Sequence, residues 1–183
     1  MSKQALIIVD MLNDFVTGAL KCVRGQLMVP RLAKLCEEAR KHHVPVIFSN
    51  DEHLPGIDRE FKIWGPHAIK GTQGANVVPE LKLDKNIDFV VPKRRYSGFF
   101  QTDLHILLQE LGIDTVIITG LHTHMCVRHT SADAFQYGYD VIVAKDCTET
   151  FEEADYQAGL KYLKDLYGAD LLTSEEIINN WNK

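Results

Sequence analysis

Four groups of residues in this 183-residue chain have the types and spacing for chemistry. Cys126 lies just beyond the apolar run TVIIT, in GLHTHMCVRHTSADAF, where a helical pattern is starting. A thiol at a helix N-terminus feels the positive end of the macrodipole, which lowers its pKa, and the free N–H groups of the first turn can hold an oxyanion. That chemistry is nucleophilic attack on a carbonyl. The competing reading is a buried cysteine acting as a small hydrophobe. Asp10 closes the run ALIIV, where an unpaired carboxylate would be costly; it can be a general base for the thiol, an ionic anchor or a helix cap. Lys93 follows DFVVP in the same way. It is either a buried ammonium that steadies a thiolate and a carboxylate, or a surface lysine with a solvated head. Asp51 and His53 stand at i and i+2 of an extended segment, so their side chains project to one side, and His67 can return to them from the loop beyond. One carboxylate and two imidazoles with open positions suit Zn²⁺, Fe²⁺ or Mn²⁺. Glu60 is a further ligand or a solvated loop acid. His42, His43, His105 and His129 read as helix-surface residues, whereas His122 and His124 both lie in the turn that leads to Cys126.

These residues need a scaffold that brings distant segments to one edge. Ala5–Val9, Val44–Ser49, Asp88–Val91, Thr115–Thr119 and Asp140–Ala144 are near-continuous apolar runs, as expected of strands buried on both faces of a parallel sheet. Helical patterns separate them. Met28–His42 places Leu32, Leu35, Cys36 and Ala39 on one face; Leu104–Leu111 follows Thr102, a plausible N-cap, and stops at Gly112. Glu152–Tyr167 stops at Gly168, and a weak strand, Asp170–Leu172, precedes a short helix after the cap-like Thr173 and Ser174. Alternation of this kind predicts a three-layer α/β/α sandwich around a mostly parallel, Rossmann-like sheet of about six strands. Residues 50–86 break the alternation with four glycines and three of the six prolines. A long irregular segment inside a compact domain is usually functional or disordered. Ligands of open α/β sheets bind beyond the carboxyl ends of the strands; Asp10, Asp51, Lys93 and Gly120–Cys126 all fall there.

Composition narrows the partners. Twenty basic against 25 acidic residues leave a net charge of −5, which offers no electrostatic footprint for nucleic acid. No apolar run approaches the ~20 residues of a membrane span. The N-terminus meets an acid at Asp10 after a short strand-like run and does not read as a secretory signal. Cys22, Cys36, Cys126 and Cys147 lie far apart without a CxxC pair, which reads as free thiols in a reducing cytosol. The expectation is a cytoplasmic enzyme with a single domain over residues 1–183.

The same pieces carry a resemblance. ALIIVDMLNDFV (5–16), SNDEH (49–53), WGPHAIKGTQGA (64–75), PKRRYSGFFQTDL (92–104) and TGLHTHMCVRHTSADAF (119–135) occur in the order found in the isochorismatase-like cysteine hydrolases. Within that superfamily the chain is most similar to the nicotinamidase branch. The resemblance implies a triad of Asp10, Lys93 and Cys126 that cleaves a small amide through a thioester, with nicotinamide giving nicotinate and ammonia. It implies a cis peptide at Leu121–His122 and an oxyanion hole from the backbone N–H groups of His122 and Cys126. It implies a metal, commonly zinc, on Asp51, His53 and His67, with Glu60 as an additional ligand. Phe15, Trp64, Tyr96 and Phe99 stand where the family lines its pocket with aromatic rings, joined by Leu121 and His122. It also implies a homo-oligomer, dimer or tetramer. His122 is a departure, because nicotinamidases usually carry a small residue there. Arg94 and Arg95 can recognise a carboxylate or be solvated. An N-carbamoylsarcosine amidase or another carbamoyl or ureido amidase on the same triad is the alternative activity, and a non-catalytic ligand-binding or scaffold member is the third.

Overall fold

A computed structural model describes residues 2–183. Six strands, β1 (Gln4–Val9), β2 (Val46–Asp51), β3 (Phe89–Lys93), β4 (Thr115–Leu121), β5 (Asp140–Glu149) and β6 (Asp170–Leu172), form one sheet in the order β3-β2-β1-β4-β5-β6. Every neighbouring pair is parallel. The apolar runs are buried on both faces, as a parallel sheet demands. Leu6 and Ile8 of β1 enter one core with Leu32, Leu35, Cys36 and Ala39 of α2 (Val23–Lys41) and Ile177 of α7 (Ser174–Trp181). Ala5, Ile7 and Val9 enter the opposite core with Leu104 and Leu108 of α4 (Leu104–Glu110), Ala134 of α5 (Arg128–Gln136) and Leu160 and Leu163 of α6 (Glu153–Tyr167). The alternation of one strand thus divides the chain into the three layers expected of it.

Four strands reach further toward their carboxyl ends than the apolar runs do. β2 continues to Asp51, β3 through Pro92 to Lys93, β4 to Leu121 and β5 to Glu149. Hydrophobicity stops marking a strand where its side chains leave the core, although the ladder itself goes on. The register sets Asp51 beside Lys93 and Val9 beside Gly120. Gly120 has φ +98°, and a Cβ there would lie 2.0 Å from the Val9 carbonyl oxygen, so only glycine lets β4 approach β1 at this level.

Two helix starts differ from expectation. α2 begins at Val23 rather than Met28, with the Cys22 thiol accepting a hydrogen bond from the Gly25 amide at 3.3 Å. Gly25 and Pro30 disguise this start, but Gly25 permits close packing on Leu121, and Arg24 reaches Glu149 and Glu153. Asp103, not Thr102, occupies the N-cap position of α4; Thr102 Oγ1 accepts from the Leu104 amide at 3.3 Å. Thr173 and Glu176 form a reciprocal capping box on α7.

Residues 52–88 run as an irregular excursion with one short helix, α3 (Phe61–Trp64), and two 3₁₀ turns. They are folded back on the sheet edge. Another short helix, α1 (Asn13–Val16), offers Asp14 to the Ala68 amide at 2.9 Å and Asn13 to the Gln73 carbonyl at 2.8 Å. His53 and Ile69 make a parallel bridge. Among the described residues no helix is long and apolar enough to cross a membrane.

Candidate active site

The strand order reverses between β1 and β4, and Asp10 follows β1 at that point with φ +52°. Aspartate tolerates this left-handed conformation better than most residues. Its carboxylate is fully buried and doubly fixed: Oδ1 accepts from the Asp51 amide at 2.7 Å, and Oδ2 lies 2.7 Å from Lys93 Nζ. The same ammonium donates to Asp51 Oδ1 at 2.6 Å. Lys93 therefore sits between two carboxylates, with its side chain removed from solvent. Burial opposes its charge, but Asp10 and Asp51 hold its pKa well above the ordinary lysine value. Burial and the neighbouring Asp51 push Asp10 up to about 6, against the pull of Lys93.

Cys126 completes this cluster, its thiol within 4.8 Å of the nearest oxygens of Asp10 and Asp51. It occupies a single wide turn of π-helix, Thr123–Val127, between β4 and α5. In that turn the Met125 and Val127 amides both donate to the His122 carbonyl. The Leu121–His122 peptide is cis. The thiol is not the ready thiolate that a helix N-terminus suggested. Burial, then Asp10 and Asp51, raise its pKa well above the ordinary thiol value despite Lys93. Desolvation and two carboxylates outweigh the helix dipole here. All four cysteines are free and buried, and burial pushes Cys36 up to about 12.

Asp51 also faces a second cluster. Potential ligand atoms of Asp51, His53, Glu60 and His67 all lie within 4.8 Å of one another, and all four residues are buried. His67 Nδ1 is 2.8 Å from the Gly65 carbonyl, which can only accept, so Nε2 keeps its lone pair. His53 Nδ1 is 3.1 Å from Asp58 Oδ2, and its Nε2 faces Asp51 Oδ2 at 3.5 Å and Glu60 Oε2 at 4.0 Å. Burial, reinforced by Asp51, raises Glu60 to about 7. Two imidazole lone pairs and two carboxylates, of which Glu60 lacks a compensating cation, are the donor set that a divalent transition ion takes. The residues present fit such an ion.

Asp58 had no motif to mark it. Its buried carboxylate accepts from Arg94 Nε at 2.9 Å and Arg95 Nη1 at 3.0 Å besides meeting His53. Against the pull of burial, Arg94 and His53 hold it far below the usual carboxylate range. The two arginines do recognise a carboxylate, but one belonging to this chain.

A narrow cavity of about 10 Å³, room for a single water, opens on Cys126, Asp51, Glu60 and His67. Phe15, Trp64, Tyr96 and His122 line it, together with Leu20, Met125 and Phe151. The Trp64 indole donates to the Tyr96 hydroxyl at 3.0 Å and braces that wall. Two expected lining residues are elsewhere. Phe99 packs in the core against Tyr137 and Tyr139, and Leu121 turns into the other core toward Gly25. His124 points away to Thr150 Oγ1 at 2.9 Å. Phe151 follows the unexpected extension of β5, which explains why the sequence pattern passed over it.

Residues 4–176 match the isochorismatase domain family. Among solved structures, the chain is similar to N-carbamoylsarcosine amidase from Thermoplasma acidophilum, with 38% identity, TM-score 0.87 and coverage of 94% of this chain and 97% of that one. A pyrazinamidase/nicotinamidase from Streptococcus mutans matches at 31% identity and TM-score 0.88, over 92% and 99% of the two chains. A pyrazinamidase of Pyrococcus horikoshii in complex with zinc matches at 28% and 0.87, over 93% and 99%.

Proposed function

The chain belongs to the isochorismatase family, and from that premise we propose that it is a cysteine-dependent amidohydrolase of small primary amides, of the nicotinamidase type. One observation carries this reading: Lys93 ties Asp10, beside the Cys126 thiol, to Asp51, which opens on the metal-fitting cluster. A catalytic half and a substrate-holding half thus share one cavity.

The thiol waits protonated, and Asp10 is the base within reach. As the amide carbonyl meets Sγ, the S–H proton passes to Asp10 and the new C–S bond forms. Lys93 keeps the cluster's charge balanced as the proton moves. The backbone N–H groups of His122 and Cys126 stabilise the oxyanion. Collapse of the tetrahedral adduct breaks the C–N bond, Asp10 returns the proton to the leaving nitrogen, and ammonia departs. Water, deprotonated by the same carboxylate, then cleaves the thioester to the acid and restores the thiol. Asp51, His53, Glu60 and His67 would hold the ion, zinc by preference and iron or manganese on the same donors; when bound, it orients and polarises the substrate as a Lewis acid.

The test is ammonia release from nicotinamide by zinc-loaded enzyme, by Cys126→Ala, and after chelation. Turnover should fall by on the order of 10⁴-fold or more in the alanine variant and at least tenfold on chelation. Undiminished release from Cys126→Ala would remove the nucleophile from the account. A carbamoyl amidase is the second reading, favoured by the 38% identity to N-carbamoylsarcosine amidase. N-carbamoylsarcosine run beside nicotinamide separates the two by their kcat/KM ratio.

A further inference from the structure

His122 is anomalous within this cavity. It is 1% exposed, yet neither ring nitrogen has a hydrogen-bond partner among the described residues. Its ring stacks on Phe151 at 4.3 Å and 28°, and Phe15 meets it edge-on at 5.8 Å. Phe15 also meets His67 edge-on at 5.5 Å, so both imidazoles pack against one aromatic ring. Burial, aided by His124, lowers the His122 pKa to about 3. The ring is therefore neutral and offers one donor and one acceptor. Leaving both unmade in an apolar pocket costs stability, about 1–3 kcal/mol per group. A phenylalanine would fill the same space and keep the stack without that cost.

Most polar groups elsewhere on the cavity wall are committed. The Trp64 indole is spent on the Tyr96 hydroxyl, which keeps its own proton to donate, while Asp51, Glu60 and His67 face the metal position. Among the lining side chains, His122 is the one whose polar atoms are all buried without a partner.

We propose that His122 is a specificity-determining residue whose imidazole hydrogen-bonds the non-reacting part of the substrate. The site thereby selects flat primary amides that carry a second hydrogen-bonding group, such as a ring nitrogen or a carboxylate, over amides whose remainder is hydrocarbon. This deepens the amidase reading and rests on it. A site built to hydrogen-bond its substrate discriminates strongly, because an apolar analogue leaves the protein's polar group buried and unpaired.

The experiment compares kcat/KM for pyrazinamide, nicotinamide and N-carbamoylsarcosine, each relative to benzamide, in wild-type enzyme and His122→Phe under one zinc concentration. Taking the ratio to benzamide in both proteins cancels effects of the variant common to all amides. At least one polar-to-benzamide ratio should fall tenfold or more in His122→Phe, mainly through KM, while the thermal midpoint stays equal or rises. His122→Asn, which keeps a donor and an acceptor, should recover part of that ratio. His122→Leu replaces the phenylalanine variant if that one does not fold. Ratios unchanged within threefold overturn the proposal, whatever the midpoint does. Should wild-type enzyme turn over none of these amides, the amidase reading fails separately. Calorimetric binding of pyrazinamide and benzamide to Cys126→Ala, with and without His122→Phe, then decides: a preference for pyrazinamide abolished by the second substitution sustains the role of His122, and no preference or no binding overturns it.

Discussion

Asp10 and Lys93 stand at the ends of β1 and β3, which flank β2, and Cys126 stands on the turn that one strand becomes; His53, Glu60 and His67 hang from an irregular excursion held back by a few tethers. The first group is placed by sheet register. Asp51 opposite Lys93, and Val9 opposite Gly120, bring the charged residues together as soon as the ladder forms. The second group is placed by side chains that have no catalytic chemistry of their own: Asp14 on the Ala68 amide, and Asp58 between His53 and two arginines. Asp51 belongs to both groups, one oxygen toward Lys93 and the other toward His53. The contrast predicts that damage at the strand ends spreads through the fold, whereas damage at the tethers stays with the metal.

The strand-end half should respond most severely. Lys93→Met leaves two buried carboxylates without their shared cation, which costs about 3–5 kcal/mol. Urea denaturation should show the lowered midpoint, and amide turnover should vanish with it. Asp58→Asn should behave differently. Metal affinity should drop about 10–100-fold in competition with a chromophoric chelator, while the metal-free variant unfolds far closer to wild type than Lys93→Met does. Equal destabilisation by the two substitutions would erase the distinction between the halves. Arg94→Ala is the mildest, because Asp58 keeps Arg95 and His53. Its partly exposed ion pair is worth about 1 kcal/mol at most, so zinc affinity should shift no more than a few-fold. A change as large as that of Asp58→Asn would mean that Arg94 alone holds the carboxylate.

The two halves were also unequally legible. Apolar runs marked five strands, and the polar residues at their carboxyl ends stood out because the fold class places ligands there. The runs stopped short of Asp51, Lys93, Leu121 and Glu149, since a strand's chemistry begins where its hydrophobic pattern ends. Phe151 lay beyond such a limit and was passed over. In the loop, His53 and His67 were found by residue type, but Asp58 and Asp14 were not, because a tether between a carboxylate and a distant amide or arginine leaves no periodic trace. Leu121 and Phe99 were placed at the pocket by resemblance of position, yet packing turned both side chains into the core. The helix-end argument for an acidic Cys126 failed for a related reason: it weighed one local dipole and omitted the buried carboxylates delivered by β1 and β2.

The central claim is that Cys126, protonated at rest and relieved of its proton by Asp10, becomes acylated during turnover. Mixing zinc-loaded enzyme with excess nicotinamide or N-carbamoylsarcosine, quenching in acid within the first turnovers and measuring the intact mass tests it directly. The account predicts a transient species heavier by the substrate's acyl group, mapped by peptide analysis to Cys126 and absent from Cys126→Ala. Ammonia release at full rate with no such adduct, and with Cys126→Ala equally active, would contradict it.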